Sequence, residues 1–334
     1  MDRLKNEFFI GVDGGGTNTR ALIMDGSGRG LGLGKSGPSN YGAVGIEAAQ
    51  KNIGTAVAAA WRAVGLEPRP ADGAFLGMAG VTGVADRNTI MKIATQLRLA
   101  APERIGVDHD IRILLAGGLG GKPGIALIVG TGSSCYARDA LGHAVQVGGY
   151  GSLVDDLGSG YDLGVQAMSA TVFAADGRGP ATALSGTVLQ FLGISSIEEF
   201  SRRVYHEGIT RTEIASLAPR VIACAQAGDD VARKILHRGA AALALMAATA
   251  ARKIKVEPTT TLVIGGGLGE ADTIYRADIL REINLQAPQI KIQSPLFAAV
   301  AGGAILAMET AGRKFGESEI ARLQAFFSKG IDQP

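Results

Sequence analysis

Short apolar runs alternate with amphipathic segments along most of this chain. Apolar runs of strand length lie at residues 8–13, 19–25, 74–78, 104–107, 125–130, 133–138, 143–147 and 261–265. Apolar residues that recur every three or four positions predict helices at residues 44–64, 87–99, 213–226, 230–255, 276–283 and 317–328. The helix at 230–255 has acidic residues at its start and cations at its end, as the helix dipole favours. Strands and helices that alternate in this way are typical of an α/β fold.

The densest glycine and proline stretch predicts a domain boundary. Residues 117–124 read GGLGGKPG and lie between two ordered segments, as expected of a hinge or linker. A chain of 334 residues is long enough for two domains of ordinary size. We therefore expect a first domain at 1–116 and a second at 117–316, with a C-terminal helix at 317–334 that packs back on the first domain.

Composition and charge exclude several classes of function. The chain is 46% hydrophobic and 19% charged, which is typical of a globular protein with a substantial core. The net charge is +2, from 33 basic and 31 acidic residues, so neither a nucleic acid nor a membrane is an expected partner. The longest run of small apolar residues, Gly239–Ala251, is shorter than the roughly 20 residues of a membrane span. Two cysteines cannot form a disulfide framework, which suits a reducing cytoplasm.

The segment VDGGGTNT (12–19) suggests a turn that binds an anion. Successive glycine amides can form a concave set of N–H donors for phosphate, and Thr17 and Thr19 add hydroxyl groups. Asp13 would repel a bare phosphate, so its position makes sense if it holds Mg²⁺ through water. The alternative is a tight turn in which Asp13 only accepts hydrogen bonds from local amides. This motif alone does not decide between the two.

Two further glycine turns favour the phosphate interpretation. GTGSS (130–134) and GGGLG (265–269) both follow apolar strand-like runs. Two familiar nucleotide-binding motifs do not fit this chain. A Walker A loop that ends in GKS (34–36) would need glycine at position 29, where this chain has Arg29. The pattern Gly32-x-Gly34-x-x-Gly37 runs into PSN, where a dinucleotide-binding motif would begin a helix. Three glycine turns in this order predict loops that converge on one polyphosphate.

Four segments carry a resemblance to a known family: VDGGGTNTR, GTGSSC, GGYGSLVDDLGSGYDLG and GGGLG. In this order and spacing they resemble the N-acetylglucosamine kinase family, which belongs to the sugar kinase, heat-shock chaperone and actin superfamily. The broader group also holds activating ATPases of benzoyl-CoA reductase. The resemblance implies two ribonuclease-H-like domains of actin-like ATPase fold, with ATP, Mg²⁺ and a sugar in the cleft between them. It also implies these nucleotide-binding residues: Gly14, Gly15, Gly16, Thr17, Asn18, Gly130, Thr131, Gly132, Gly266 and Gly267. We also expect a homodimer.

The resemblance places the catalytic base at a strand-to-helix turn in GVDHDIRILLAGG (106–118). Asp110 is expected at the N-cap of the helix, where its carboxylate could accept the proton of the attacking sugar hydroxyl. Capping of the helix without catalysis is the alternative for an aspartate at this position. Asp108 is the neighbouring competitor on the strand, and His109 is expected to be structural.

The family pattern also implies a sugar site, from which this chain departs at two positions. Tyr150 stands where the family typically has tryptophan, and Leu157 replaces a glutamate. Phosphorylation of the 6-hydroxyl of N-acetylglucosamine is the implied reaction, with glucosamine, another amino sugar or an anhydro-sugar as alternatives. The expected substrate-binding residues are Asn40, Asp110, Ser133, Ser134, Tyr150, Gly151 and Asp156.

Two functions of other classes compete with the kinase. An activating ATPase for an electron-transfer partner would hold an iron–sulfur cluster on thiolates, but Cys135 and Cys224 lie in strand-like and helical segments typical of a core. A chaperone-like or actin-like binding module would give no reason for a carboxylate at Asp110 and would need a peptide-binding extension after residue 330. The kinase is the favoured prediction.

Overall fold

The chain forms an α/β structure with two five-stranded sheets, in a computed structural model that describes residues 6–254 and 260–328. The strands are β1 (Phe8–Gly14), β2 (Thr19–Asp25), β3 (Gly30–Ser36), β4 (Gly73–Met78), β5 (Ile105–His109), β6 (Gly124–Val129), β7 (Ser133–Arg138), β8 (Ala144–Gly148), β9 (Thr260–Gly265) and β10 (Ile290–Gln293). The predicted α/β class is confirmed.

Thirteen α-helices lie in the described ranges 6–254 and 260–328. They are α1 (Tyr41–Val44), α2 (Ile46–Ala63), α3 (Val84–Gln96), α4 (Asp110–Leu119), α5 (Gly160–Ala175), α6 (Leu184–Leu192), α7 (Arg211–Ala215), α8 (Ala218–Gln226), α9 (Asp230–Lys253), α10 (Gly267–Glu270), α11 (Ile274–Gln286), α12 (Ala299–Thr310) and α13 (Glu317–Phe327). None of these helices is both long enough and apolar enough to cross a membrane.

The chain divides into two compact units, and the first contains both ends of the sequence. The first unit comprises Met1–Ala126 and Ser294–Pro334, and the second comprises Leu127–Gln293. The division falls within β6, about ten residues after the boundary expected from the glycine-rich segment. That segment is largely ordered, since Gly117–Leu119 form the end of α4 and Gly124 begins β6.

The sheet of the first unit has the order β3-β2-β1-β4-β5. β1 pairs antiparallel with β2 and parallel with β4, and β4 pairs parallel with β5. Side chains alternate between the two faces of a strand, so a sheet covered on both faces buries nearly every position. One face packs on helices α2 and α3 through a layer that includes Ile10, Val12, Leu76, Ile53, Trp61 and Ile90.

The other face of this sheet packs on α12 and α13, which come from the end of the chain. Its layer includes Phe9, Leu22, Phe75, Val300, Ala304 and Phe326. The contact is close enough to need glycine, because a Cβ added to Gly11 would lie 2.2 Å from the backbone nitrogen of Ala304. α12 thus lies directly on β1, which explains why residues 294–316 belong to the first unit and not to the second as expected from the sequence.

The sheet of the second unit has the order β10-β9-β6-β7-β8. β9 and β10 are parallel, and β7 and β8 are antiparallel. The long helix α9 begins as the sequence predicts, because the side chain of Asp229 accepts a hydrogen bond from the N–H of Ala232. The helix expected at 213–226 is instead two helices, α7 and α8, because Pro219 has no N–H and occupies the first turn of α8.

Candidate active site

Three parallel strands of the first unit end in one row. Gly14 of β1 is in register with Met78 of β4, and Met78 is in register with His109 of β5. Neighbouring strands lie about 4.8 Å apart, so the ends of β1 and β5 are separated by roughly 10 Å. The row places the expected phosphate turn and the expected base, Asp110, at the same edge of one sheet.

The glycine turn at the end of β1 has room beside it. The N–H of Gly15 donates to the carbonyl of Asn18 at 3.0 Å, which closes the turn. Gly16 and Thr17 are exposed, and a Cβ added to Gly16 would meet no other atom within 4 Å. Asp13 is half-buried on β1, in register with Arg20 of β2. The turn can therefore present backbone N–H groups and the Thr17 hydroxyl to a ligand.

Thr19 does not take the role expected from its hydroxyl. Its side chain is fully buried, and Oγ1 lies 2.7 Å from the carbonyl oxygen of Gly37 and 2.7 Å from Ser39 Oγ. A hydroxyl held in this way faces the protein and not a phosphate. Thr17 remains the candidate hydroxyl donor of this turn.

Asp108 is held by two arginines. Arg87 binds its Oδ1 at 2.8 Å and Arg112 binds its Oδ2 at 2.7 Å, and the N–H of His109 also donates to Oδ1. Burial alone would raise the pKa of Asp108, but the hydrogen bonds from Arg112 and Arg87 outweigh burial and lower it. A carboxylate stabilised in its charged form and fully engaged is a poor proton acceptor, which leaves Asp110 as the candidate base.

Asp110 is the first residue of α4, and the N-cap is His109. The expected position of Asp110 at the N-cap is therefore wrong by one residue. His109 Nδ1 lies 3.3 Å from the N–H of Ile111, which it can accept as a cap, and 2.6 Å from Asp110 Oδ1. One ring nitrogen cannot accept from the first and donate to the second at once. Whether Nδ1 carries a proton therefore decides which of the two neighbours it binds.

The charged form of His109 is favoured beside Asp110. Burial would lower the pKa of His109, but the hydrogen bond and the negative charge of Asp110 outweigh burial and raise it. Asp110 itself is about a quarter exposed, with a side-chain exposure of 24%. Its Oδ1 is buried and lies 2.6 Å from His109 Nδ1. The exposed part of the carboxyl group therefore faces away from His109 and is open to a ligand.

Asn40 lies beside the glycine turn. Its N–H donates to the carbonyl of Gly15 at 3.2 Å, and its Oδ1 accepts from the N–H of Gly42 and so caps α1. Its side-chain amide also lies against Gly80, where an added Cβ would be 2.9 Å from Asn40 Oδ1. The first unit therefore brings together the expected phosphate turn, Asn40 and Asp110.

The second unit places two more glycine turns side by side. Gly130 N–H donates to the carbonyl of Gly132, and the carbonyls of Gly130 and Thr131 accept from the N–H groups of Gly160 and Tyr161 at the start of α5. Thr131 is exposed. The turn is thus fixed through its carbonyls, and its threonine is accessible to a ligand.

The turn after β9 contacts the strand that leads to Gly130. Gly266 has a φ of +87°, and a Cβ there would lie 2.6 Å from the carbonyl oxygen of Val129. Its N–H donates to Glu270 Oε1 at 3.1 Å, whereas Gly267 borders open space. Of these two expected nucleotide residues, Gly267 is therefore the more accessible to a ligand.

Asp156 positions its neighbours. It is only 3% exposed, and its φ of +62° is one that asparagine and aspartate tolerate better than most residues. Oδ1 accepts from the N–H of Ser133 at 3.2 Å, and Oδ2 binds Arg211 at 2.5 Å. Both oxygens are engaged, so Asp156 holds the turn. The sequence offered no signal for Arg211, which lies 55 residues away.

The two serines after this turn differ in their bonds. Ser133 Oγ donates to the carbonyl of Leu157 at 2.9 Å. Ser134 Oγ is buried, has no hydrogen bond among the described residues, and lies 2.6 Å from where a Cβ of Gly149 would be. An unpaired buried hydroxyl is costly unless a ligand or water completes it. Ser134 is therefore the better candidate for direct contact with a substrate.

The segment after Gly149 presents large apolar side chains to solvent. Tyr150 is 74% exposed, its N–H donates to Asp155 Oδ2, and Gly151 beside it has a φ of +95°. An exposed apolar set of this kind marks binding surfaces more often than inert ones. The other exposed members are Leu153, Val154 and Leu157.

Comparison with known proteins gives consistent matches. The model of the BadF/BadG/BcrA/BcrD ATPase family matches residues 10–307. An N-acetylmuramic acid/N-acetylglucosamine kinase of Clostridium acetobutylicum is 30% identical over 90% of this chain and 98% of its own length. An N-acetyl-D-glucosamine kinase of Dictyostelium discoideum is 29% identical over 92% of this chain and 99% of its own. The crystal structure of a proposed N-acetylglucosamine kinase of Chromobacterium violaceum has a TM-score of 0.73 at 27% identity, covering 90% of this chain and 99% of that one.

Proposed function

Because this chain belongs to the BadF/BadG/BcrA/BcrD ATPase family, we propose that it is an ATP-dependent kinase that phosphorylates N-acetylglucosamine on the 6-hydroxyl group. Two relatives that it matches over nine-tenths of its length are named as kinases of this amino sugar. The observation that carries the proposal is the row of strand ends, which places a partly exposed carboxylate, Asp110, roughly 10 Å from an open glycine turn.

Asp110 is the general base of this proposal. Its carboxylate accepts the proton of the sugar 6-hydroxyl while that oxygen attacks the γ-phosphorus of ATP. The new O–P bond forms as the bond between the γ-phosphorus and the β–γ bridging oxygen breaks, and ADP leaves with the bridging oxygen. Asp108 stabilises the turn through Arg87 and Arg112 and takes no proton.

The glycine turns bind the nucleotide in this proposal. The N–H groups of Gly15 and Gly130 close the turns Gly14–Asn18 and Gly130–Gly132, the remaining N–H groups of these turns face the phosphates, and Thr131 adds a hydroxyl. Gly266 and Gly267 lie by the adenosine, with Gly267 closer to the ligand. One half-buried carboxylate, Asp13, suits Mg²⁺, which keeps most of its water when it binds with a nucleotide. Bound there through water, Mg²⁺ would neutralise charge on the phosphate oxygens.

The sugar contacts divide between direct and positioning residues. Ser134, Tyr150 and Gly151 are proposed to contact the sugar because they border open or unpaired positions, and Asn40 because it lies beside the glycine turn. Asp156 and Ser133 shape the same loop through their mutual hydrogen bond. We further propose that the enzyme is a homodimer and acts in the cytoplasm. Light scattering after size-exclusion chromatography tests the dimer directly.

A coupled assay of ADP release tests the activity. With ATP and Mg²⁺, we expect N-acetylglucosamine to give the highest kcat/KM in a panel that includes glucosamine, N-acetylmuramic acid and neutral hexoses. Phosphorus NMR should identify a 6-phosphate product. ADP release that does not depend on any sugar of the panel would refute the kinase proposal, and preference for glucosamine would refute the choice of sugar.

The redox alternative has a separate test. A cluster needs accessible thiolates, but Cys135 is fully buried and burial strongly raises the pKa of its thiol. Cys224 is half-buried, with its Sγ 3.5 Å from Thr187 Oγ1. We expect anaerobically purified protein to be colourless. A brown preparation with stoichiometric iron and sulfide would favour the activating ATPase.

A further inference from the structure

Two buried hydroxyl groups connect β2 to the segment that carries Asn40. Thr19 and Ser39 are both fully buried. Thr19 Oγ1 lies 2.7 Å from the carbonyl oxygen of Gly37 and 2.7 Å from Ser39 Oγ. A carbonyl only accepts, and a threonine hydroxyl has one proton, so Thr19 donates to Gly37 and Ser39 donates to Thr19. The pair therefore has a single consistent direction of hydrogen bonding.

Gly15 joins the same segment to the glycine turn. Its N–H donates to the carbonyl of Asn18 at 3.0 Å and closes the turn. Its carbonyl accepts from the N–H of Ser39 at 3.0 Å and from the N–H of Asn40 at 3.2 Å. One residue thus belongs to the turn through its nitrogen and to the Asn40 segment through its oxygen.

The glycine turn also packs closely against the segment that carries Asn40. A Cβ added to Gly14 would lie 2.6 Å from Ser39 Oγ and 2.3 Å from Met78 Cε. Ser39 is therefore in contact with the turn on its side-chain face and bonded to it through its backbone. A shift of the turn by a few tenths of an ångström must move Ser39, and Asn40 moves with it.

We propose that Ser39 and Thr19 are positioning residues that couple nucleotide binding at the glycine turn to sugar binding at Asn40. Phosphate that orders Gly15–Asn18 also fixes the Gly15 carbonyl, which holds the Asn40 backbone. A sugar that binds Asn40 then meets a segment whose position the phosphate has already set, so the two ligands bind with positive cooperativity. The coupling is reciprocal by thermodynamic necessity. This inference rests on the proposed function, because it requires both ligands.

Calorimetry measures the coupling directly. The dissociation constant of N-acetylglucosamine is determined with and without a saturating non-hydrolysable ATP analogue and Mg²⁺. In the wild type we expect the analogue to tighten sugar binding by roughly 5- to 150-fold. In Ser39→Ala and Thr19→Val this factor should fall to less than about threefold, whereas the affinity for each ligand alone changes little.

Matched variants separate coupling from general damage. Thr19→Ser keeps a hydroxyl group that Thr19→Val lacks, so it should keep the wild-type coupling factor. Thr171 offers a control of the same chemistry in the second unit, since it is buried and its hydroxyl donates to the carbonyl of Ala167. Thr171→Val should keep the wild-type coupling factor even if it lowers stability.

Each outcome decides one question. Wild-type coupling retained in folded Ser39→Ala and Thr19→Val overturns the inference but leaves the kinase proposal standing. A wild type that binds both ligands independently does the same. A wild type that binds neither ligand overturns the proposed function and the coupling with it.

Discussion

The substitution Asp110→Asn distinguishes two roles of Asp110: proton acceptor in catalysis, or a purely structural residue at the start of α4. Asparagine has nearly the same volume as aspartate and keeps one side-chain oxygen, but it does not accept a proton near neutral pH. General acid–base catalysis contributes about 10²–10⁴ in rate, which corresponds to roughly 2.7–5.5 kcal/mol of transition-state stabilisation. We expect kcat on N-acetylglucosamine to fall by about that factor.

The same change should have a small effect on stability. Asp110 lies in the first turn of α4, where a negative charge contributes about 0.3–1 kcal/mol. Its ion pair with His109 is also lost, which adds about 0.2–1 kcal/mol, so the total loss is about 0.5–2 kcal/mol in the free energy of unfolding. The NMR titration of His109 should move to a lower pKa, because the charge that raises it is gone.

Asp108→Asn provides the opposite pattern. Its charge binds Arg87 and Arg112, and hydrogen bonds to charged groups contribute about 1.5–3 kcal/mol each, so thermal unfolding should show the larger loss. Its kcat should fall by less than about tenfold, since no proton acceptor is removed. A near-normal rate in Asp110→Asn would refute the assigned base. A folded Asp108→Asn without activity would transfer that role to Asp108.

Three further results are expected. Thr131→Val should weaken binding of ATP–Mg²⁺ by about 3- to 10-fold in calorimetry, the effect of losing one hydrogen bond, and unchanged affinity would contradict the placement of this turn at the phosphates. Asp156→Ala should unfold at lower denaturant than Asp156→Asn, because alanine loses the Arg211 contact and also fits a φ of +62° less well; equal midpoints would argue against backbone strain here. The raised folded pKa of His109 means that its charged form stabilises the protein below its unfolded pKa of about 6.5 and that this contribution is lost as the pH rises through the folded pKa. The stability advantage of wild type over His109→Asn should therefore be larger near pH 5.5 than near pH 9, as urea unfolding at the two pH values would show.

The sequence predicted the elements that carry strong local signals. β1, β2 and the long helix α9 lie where apolar runs, glycine turns and charged helix ends indicated. β3 was missed, because its sequence GLGLGKS alternates glycine with other residues. The structure supplies the reason, since a Cβ at Gly34 would lie 2.0 Å from the carbonyl oxygen of Ala56 in α2. Glycine here serves close contact between helix and strand, and it does not mark a turn.

Helix α12 was missed for a different reason. Its sequence AVAGGAILAMET is apolar on nearly all sides and has no helical period. A helix buried between β1 and α4 needs no polar face, so the pattern that marks surface helices is absent. Residues 294–316 were therefore expected in the second domain, whereas they group with the first unit.

The candidate site shows the same limit. Short motifs were enough to select the glycine turns and Asp110. The hydrogen bonds and contacts that position the site residues could not be predicted from those motifs. Arg211 reaches Asp156 from 55 residues away, and Ser39 contacts Gly14 from 25 positions along the chain. Such pairs are created by the fold and leave no mark in either local sequence.

The two-part composition of the first unit has a consequence for synthesis of the protein. Phe9, Leu22 and Phe75 are in place on the ribosome early, but α12 and α13, which cover them, come only after residues 127–298 have been made. At about 5–20 residues per second this interval lasts roughly 10–35 s. During that time one apolar face of the first sheet has no cover, and the second unit receives all of its residues before α12 and α13 are made. The nascent chain therefore presents a chaperone with an incomplete first unit beside a second unit that is free to fold.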